Sequence, residues 1–168
     1  MASTLVLRLT NAATQSTPGI SLGGIMSANE VSSTALNNIY DDVSPAERIS
    51  GIPKEYRAID VYNSGDATAE AVQIYMSVDT ASTYTVLHIG HDATNNPHVA
   101  GWNGELLSTD TTDPASPVIT FAERTSTSKL ALPNIPAGSA CRVFFKRIVT
   151  ANAVNMANDL GTVTVEYA

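Results

Sequence analysis

The chain has 168 residues, of which 43% are apolar and 15% charged, and nine basic against sixteen acidic side chains give a formal charge of −7. That length suits one domain burying roughly 70% of its unfolded surface, and the composition excludes a disordered chain. The acidic balance argues against a nucleic-acid partner, because affinity for a polyanion comes largely from basic groups that displace counterions.

Residues 4 to 10 alternate as a first strand with Leu5, Leu7 and Leu9 on one side. Arg8 interrupts this apolar segment and no long hydrophobic run follows, so it resembles neither a secretory signal nor a membrane span. The expectation is synthesis in a cytoplasm with no membrane partner. From Asn11 to Asp42 the periodicity fades, and Pro18-Gly19, Gly23-Gly24 and the Ser, Thr and Asn content predict an extended arm. Leu22, Ile25, Leu36, Ile39 and Tyr40 supply its apolar anchors, which dock either on the chain's own body or on a neighbour.

Ser44-Pro45-Ala46-Glu47 fits a short helix start, with Ser as cap, Pro at the first position and Glu three residues after the cap. Gly51-Ile52-Pro53 ends it. Tyr56 to Val78 then reads as two alternating strands joined by the polar turn Asn63-Ser64-Gly65-Asp66. A third strand runs from Tyr84 to Ile89. Residues Ala93 to Pro117 are rich in Asn, Asp, Thr, Gly and Pro and predict a long exposed loop, with a short hairpin around Asn103-Gly104. Val118 to Ala122 and Ser128 to Leu132 read as short strands. Leu132-Pro-Asn-Ile-Pro-Ala-Gly138-Ser leads into the strand Ala140 to Val149, and Leu160 to Tyr167 closes a sheet with Val163, Val165 and Tyr167 facing one way.

These elements predict an all-β chain, an immunoglobulin-like or jelly-roll-type β-sandwich with an extended N-terminal arm and one short helix. Residues 1–50 form the strand, arm and helix, and residues 51–168 form the sandwich. Cys141 is the single cysteine, so no intrachain disulfide is possible, and its apolar strand favours a buried thiol.

Sites that would carry chemistry are weakly signalled. His88, His91 and His98 with Asp92 are close in sequence, but no Cys or Glu completes a tetrahedral set, and strand-end histidines are the favoured reading. Asp92, Asp110 and Asp113 lack the spacing of a calcium loop and are expected to cap turns. No Gly-x-Ser-x-Gly elbow, His-Glu-x-x-His or phosphate loop occurs, so no catalytic residue, metal or cofactor is expected and the chain is read as a non-enzyme. Among Trp102, Tyr75, Tyr84, Phe144 and Phe145, strand aromatics are expected in the core. Trp102, in the polar loop, is the candidate contact residue, with plugging an end of the sandwich as its other role.

The succession Ser21-Leu22-Gly23-Gly24, Leu36-Asn37-Asn38-Ile39-Tyr40-Asp41-Asp42-Val43-Ser44, Glu55-Tyr56-Arg57-Ala58-Ile59-Asp60-Val61-Tyr62-Asn63, Ile89-Gly90-His91-Asp92 and Leu132-Pro133-Asn134-Ile135-Pro136-Ala137-Gly138 with Lys146-Arg147 resembles a family of small virion structural proteins of tailed bacteriophages. The resemblance implies a structural protein of the virion, present in many copies. The first expectation is a capsid decoration or cement protein, a homo-oligomer, as a trimer, bridging subunits of the major capsid protein. The alternatives are a tail, collar or baseplate component and, from another class, a carbohydrate-binding module for host attachment.

Overall fold

A computed structural model describes residues 2–34, 38–50, 54–79, 85–94, 96–104, 106–115, 118–150 and 161–168. The chain is an all-β sandwich. Among the described residues the strands are β1 (Leu5–Thr10), β2 (Gly24–Glu30), β3 (Glu55–Asn63), β4 (Gln73–Asp79), β5 (Thr85–His91), β6 (His98–Val99), β7 (Asn103–Gly104), β8 (Leu130–Ala131), β9 (Ser139–Val149) and β10 (Gly161–Glu166), with one α-helix, α1 (Pro45–Ser50), and a 3-10 turn at Pro18–Ile20. The larger sheet runs β5-β9-β3-β1-β2-β7, with β6 also on β9, and the smaller runs β10-β4-β8.

Alternation decides which side chains meet between the sheets. Leu9 of β1, Ile59 and Val61 of β3, Ile89 of β5 and Cys141, Val143 and Phe145 of β9 face Ile74 and Met76 of β4 and Leu130 of β8 in one buried cluster. Val163 and Val165 of β10 pack against it. The central strands β3 and β9 pair over eight residues, from Glu55↔Arg147 to Tyr62↔Ala140. Both are buried along almost their whole length. A strand buried on both faces needs a second cover, and irregular segments supply it: Leu22, Leu107, Ile119 and Phe121 lie over Tyr56, Ala58 and Phe144 on the outer face.

Several expectations change here. The stretch read as an extended arm contains β2, which pairs antiparallel with β1, so the first fifty residues contribute two strands to the larger sheet. Backbone pairing to β1 made this strand where side-chain periodicity was absent. The strands on either side of Asn63-Ser64-Gly65-Asp66 do not pair with each other, because β3 joins the larger sheet and β4 the smaller. The excursion from Ala93 to Pro117 is not wholly exposed: His98 and Leu107 are buried, and Asn103-Gly104 pairs with Gly24 and Ile25 of β2 rather than forming its own hairpin. Residues 118–122 make only isolated bridges, Ala115 with Val118 and Ala122 with Ile89.

Side-chain hydrogen bonds hold the irregular segments in place. Asn63 is buried, and its Oδ1 accepts from the amides of Thr4 (3.2 Å) and Gly65 (3.0 Å) while its Nδ2 donates to the carbonyls of Ala67 (2.7 Å) and Ile135 (2.8 Å). One amide thus ties the two Gly-containing turns to the N-terminal strand. Where β1 leaves β3, Ser21 takes its place: its carbonyl accepts from the Ala58 amide (2.7 Å) and its hydroxyl donates to the Ala58 carbonyl (2.7 Å). At α1 the Ser44 amide donates to Glu47 Oε2 (2.6 Å) and the Glu47 amide to Ser44 Oγ (3.2 Å), a reciprocal cap that holds the Glu47 carboxyl below its usual range. Residues 51–53, read as the helix stop, and Tyr84 and Leu160, read as strand ends, lie outside the described residues.

Candidate functional site

The charged residues inside the central strands form two separate clusters. On the outer face, Asp60 of β3 and Arg142 of β9 are register partners and both side chains are fully buried. Arg142 grips the carboxylate with two parallel bonds, Nε to Oδ1 at 3.0 Å and Nη2 to Oδ2 at 2.8 Å, and its Nη1 donates to the Gly104 carbonyl at 2.6 Å. His98 Nε2 stands 3.3 Å from the same Oδ1. Burial works to raise the Asp60 pKa, but His98 and Arg142 together outweigh it and hold the carboxyl below its usual range.

Trp102 roofs this cluster. Its ring lies 4.4 Å from the His98 ring, and the Arg142 guanidinium sits 4.9 Å from its centroid. Gly104 is required beneath it, since a Cβ there would overlap the indole. The residue expected as a loop contact is therefore half-buried and packed against its own chain.

The second cluster closes one end of the space between the sheets. Glu55 and Arg147, facing each other across β3 and β9, form a close ion pair, and Arg147 Nη1 donates to the Asp41 carbonyl at 2.6 Å. Arg57, 2% exposed, has Asp110 at 3.5 Å and Glu55 at 3.8 Å. Tyr40 lies between the two guanidiniums, 5.1 Å from Arg57 and 4.7 Å from Arg147, and its hydroxyl donates to the Glu55 carbonyl at 3.2 Å. Burial pushes its phenol pKa up. Within this chain, then, Tyr40 docks the segment on its own sandwich.

The other proposed anchors divide. Leu22 packs on the outer-face cluster, Ile39 is half-buried, and Leu36 lies outside the described residues. Ile25 is 50% exposed. It is not isolated: the Asn11 amide donates to the Ile25 carbonyl and Asn11 Nδ2 to the Ile20 carbonyl, while Leu106 Cδ1 reaches within 3.6 Å of a Cβ position at Gly24. Ile20, Ile25 and Leu106, exposed by 47%, 50% and 60%, lie in and beside β2 and β7, an apolar corner at this edge of the larger sheet.

The residues read for metal chemistry are kept apart. His98 is in the Asp60 cluster, His88 lies 3.9 Å from Glu123, and His91 stands at the end of β5. Asp92 accepts from the Thr94 amide at 2.7 Å, Asp110 approaches Arg57, and Asp113 accepts from the Tyr56 hydroxyl. No group of three or more metal-ligating side chains occurs among the described residues. Cys141 is fully buried in the core, where burial pushes its thiol pKa up, away from the reactive thiolate. No helix among them is long and apolar enough to cross a membrane.

Chemically, these clusters hold strands together. Sequence reading missed them, although Asp60, Arg142 and Arg147 each interrupt an apolar strand and so announced that a buried partner was needed. No protein-family profile, curated protein or solved structure matches this chain.

Proposed function

We propose that this chain is a structural subunit of a tailed-bacteriophage particle, a decoration protein that binds the head in many copies and bridges capsid subunits. The observation that carries the reading is the pairing of a closed interior with an apolar corner. Glu55 and Asp60 of β3 and Arg142 and Arg147 of β9 are spent on internal ion pairs, whereas Ile20, Ile25 and Leu106, in and beside β2 and β7, are left exposed. Clustered exposed apolar groups favour adhesion, because covering them removes apolar area from water. The motif resemblance along the chain supports the same class.

The corner would seat on a neighbouring subunit, a trimer mate or a capsid protein, and contact area added between capsid subunits would raise the free energy needed to part them. Quantitative mass spectrometry of purified particles tests the placement: hundreds of copies per head accord with decoration, a handful with a tail, collar or baseplate ring, and absence from particles defeats both. Ile25→Asp with Leu106→Asp should abolish binding to particles lacking this chain while leaving the fold intact by circular dichroism. Undiminished binding by that variant would remove the corner from the interface.

A further inference from the structure

One cleft, of about 210 Å³, opens where residues 118–125 cross from the larger sheet to the smaller, and His91, Thr94, Val118, Thr120, Arg124 and Leu130 line it. The crossing is anchored at both ends. The Ile89 amide donates to the Ala122 carbonyl at 2.9 Å, and the Met76 amide to the Arg124 carbonyl at 2.8 Å, so the backbone that presents Thr120 and Arg124 is held by β5 on one side and β4 on the other.

Arg124 differs from the other cations. Lys54, Arg57, Lys129, Arg142 and Arg147 each have a carboxylate within 4.0 Å, and Arg8 and Lys146 lie over aromatic rings. Among the described side chains Arg124 alone has neither; its Nε, like those of Arg8 and Arg57, is buried without a hydrogen-bond partner, but those two guanidiniums have a ring or a carboxylate beside them. Arg124 is half-buried, and a guanidinium without a counter-charge beside it can take one from a ligand. In an acidic chain, an arginine that lines a cleft and has no carboxylate within 4.0 Å among the described residues is a specific arrangement.

We propose that this cleft binds a carboxylate, with Arg124 as its cation, the Thr94 and Thr120 hydroxyls and the His91 imidazole as polar partners, and Val118 and Leu130 receiving a short carbon chain. A guanidinium fork matches the two oxygens of a carboxylate. The volume is below the roughly 300–1,000 Å³ of pockets for drug-sized molecules, so the ligand is a short-chain acid or the terminal carboxylate of a polypeptide. The site lies away from the apolar corner, and its existence does not depend on the assembly reading.

The experiment is a titration of the whole chain with propionate, read by the imidazole resonances of His91 and the Nε–H resonance of Arg124. Saturable shifts at both, with Kd on the order of 1–10 mM, are expected for so small a ligand. His98, sealed in the Asp60 cluster, should not move. Arg124→Gln should weaken binding at least about tenfold, and Arg124→Lys, which keeps the charge without the fork, should fall between. N-acetyl-Ala-Ala with a free carboxylate binding well beyond propionate assigns a polypeptide terminus, and equal affinity assigns a free acid. Shifts that stay linear with concentration, undiminished binding in Arg124→Gln, or equal binding of the amidated peptide would overturn the proposal. The Arg124 resonance in the unmodified chain decides the matter even if both variants fail to fold.

Discussion

Replacing Asp60 by Asn leaves the Arg142 guanidinium buried without its counter-charge. Both side chains are fully enclosed, and the change weakens two charge-assisted hydrogen bonds, at 3.0 and 2.8 Å. At about 1.5–3 kcal/mol for each such bond the loss is roughly 3–6 kcal/mol, which agrees with the ~3–5 kcal/mol that follows removal of one member of a buried pair. With a urea slope of about 2 kcal/mol per molar, the unfolding midpoint should fall by roughly 2 M. Far-UV circular dichroism and Trp102 fluorescence report the transition together, the indole lying directly over Arg142. Asp60→Leu with Arg142→Met should recover most of the loss, since no orphan charge remains, but not all, because the Gly104 carbonyl then loses its donor. A midpoint shift under about 0.5 M for Asp60→Asn would mean the pair contributes no more than an exposed one, and would refute the account of the outer face as a sealed layer.

Asn63→Ala strands the Thr4 and Gly65 amides and the Ala67 carbonyl, the Ile135 carbonyl keeping the Ala69 amide, and a Tm drop of roughly 5–15 °C is expected, with faster hydrogen exchange at Thr4 and Gly65. An unchanged melting curve would show that water substitutes for the side chain. Gly90→Ala places a Cβ 2.5 Å from Ile119 Cγ2 and 2.7 Å from the Thr120 carbonyl oxygen, so the crossing segment must move off β5. The cost should be about 1–3 kcal/mol, read as lost exchange protection at the Ile89 and Ala122 amides. On acidification, Asp60 and Glu47 have folded pKa values below their unfolded ones. Their stabilisation is full above the unfolded values, about 4 for carboxyls, and is lost as pH falls through the folded values. Urea midpoints should therefore decline steadily below about pH 4, and Asp60→Asn should flatten that decline.

Much of the sandwich could be read from periodicity alone. Strands β1, β3, β5 and β9 were expected within a residue or two at their described ends, because an alternating strand needs only its own side chains to declare which face goes inward. The α1 cap was equally local, four consecutive residues satisfying each other's amides. Strand β2 was not legible: Gly-Ile-Met-Ser-Ala-Asn-Glu carries no alternation, and its pairing energy comes from the edge of β1.

What the sequence by itself determined is an all-β body with apolar inner faces, since the period of two leaves strands no other way to bury their side chains. Only the tertiary structure decided which strands are neighbours, that irregular segments cover the outer face, and that Asp60 meets Arg142 across eighty-two positions of chain. Those outcomes depend on contacts between distant residues, and a buried charge signals that it needs a partner without saying which one. The same holds for Arg124, which became distinctive when the fold assigned carboxylates or aromatic rings to the other described cations and left it facing the cleft.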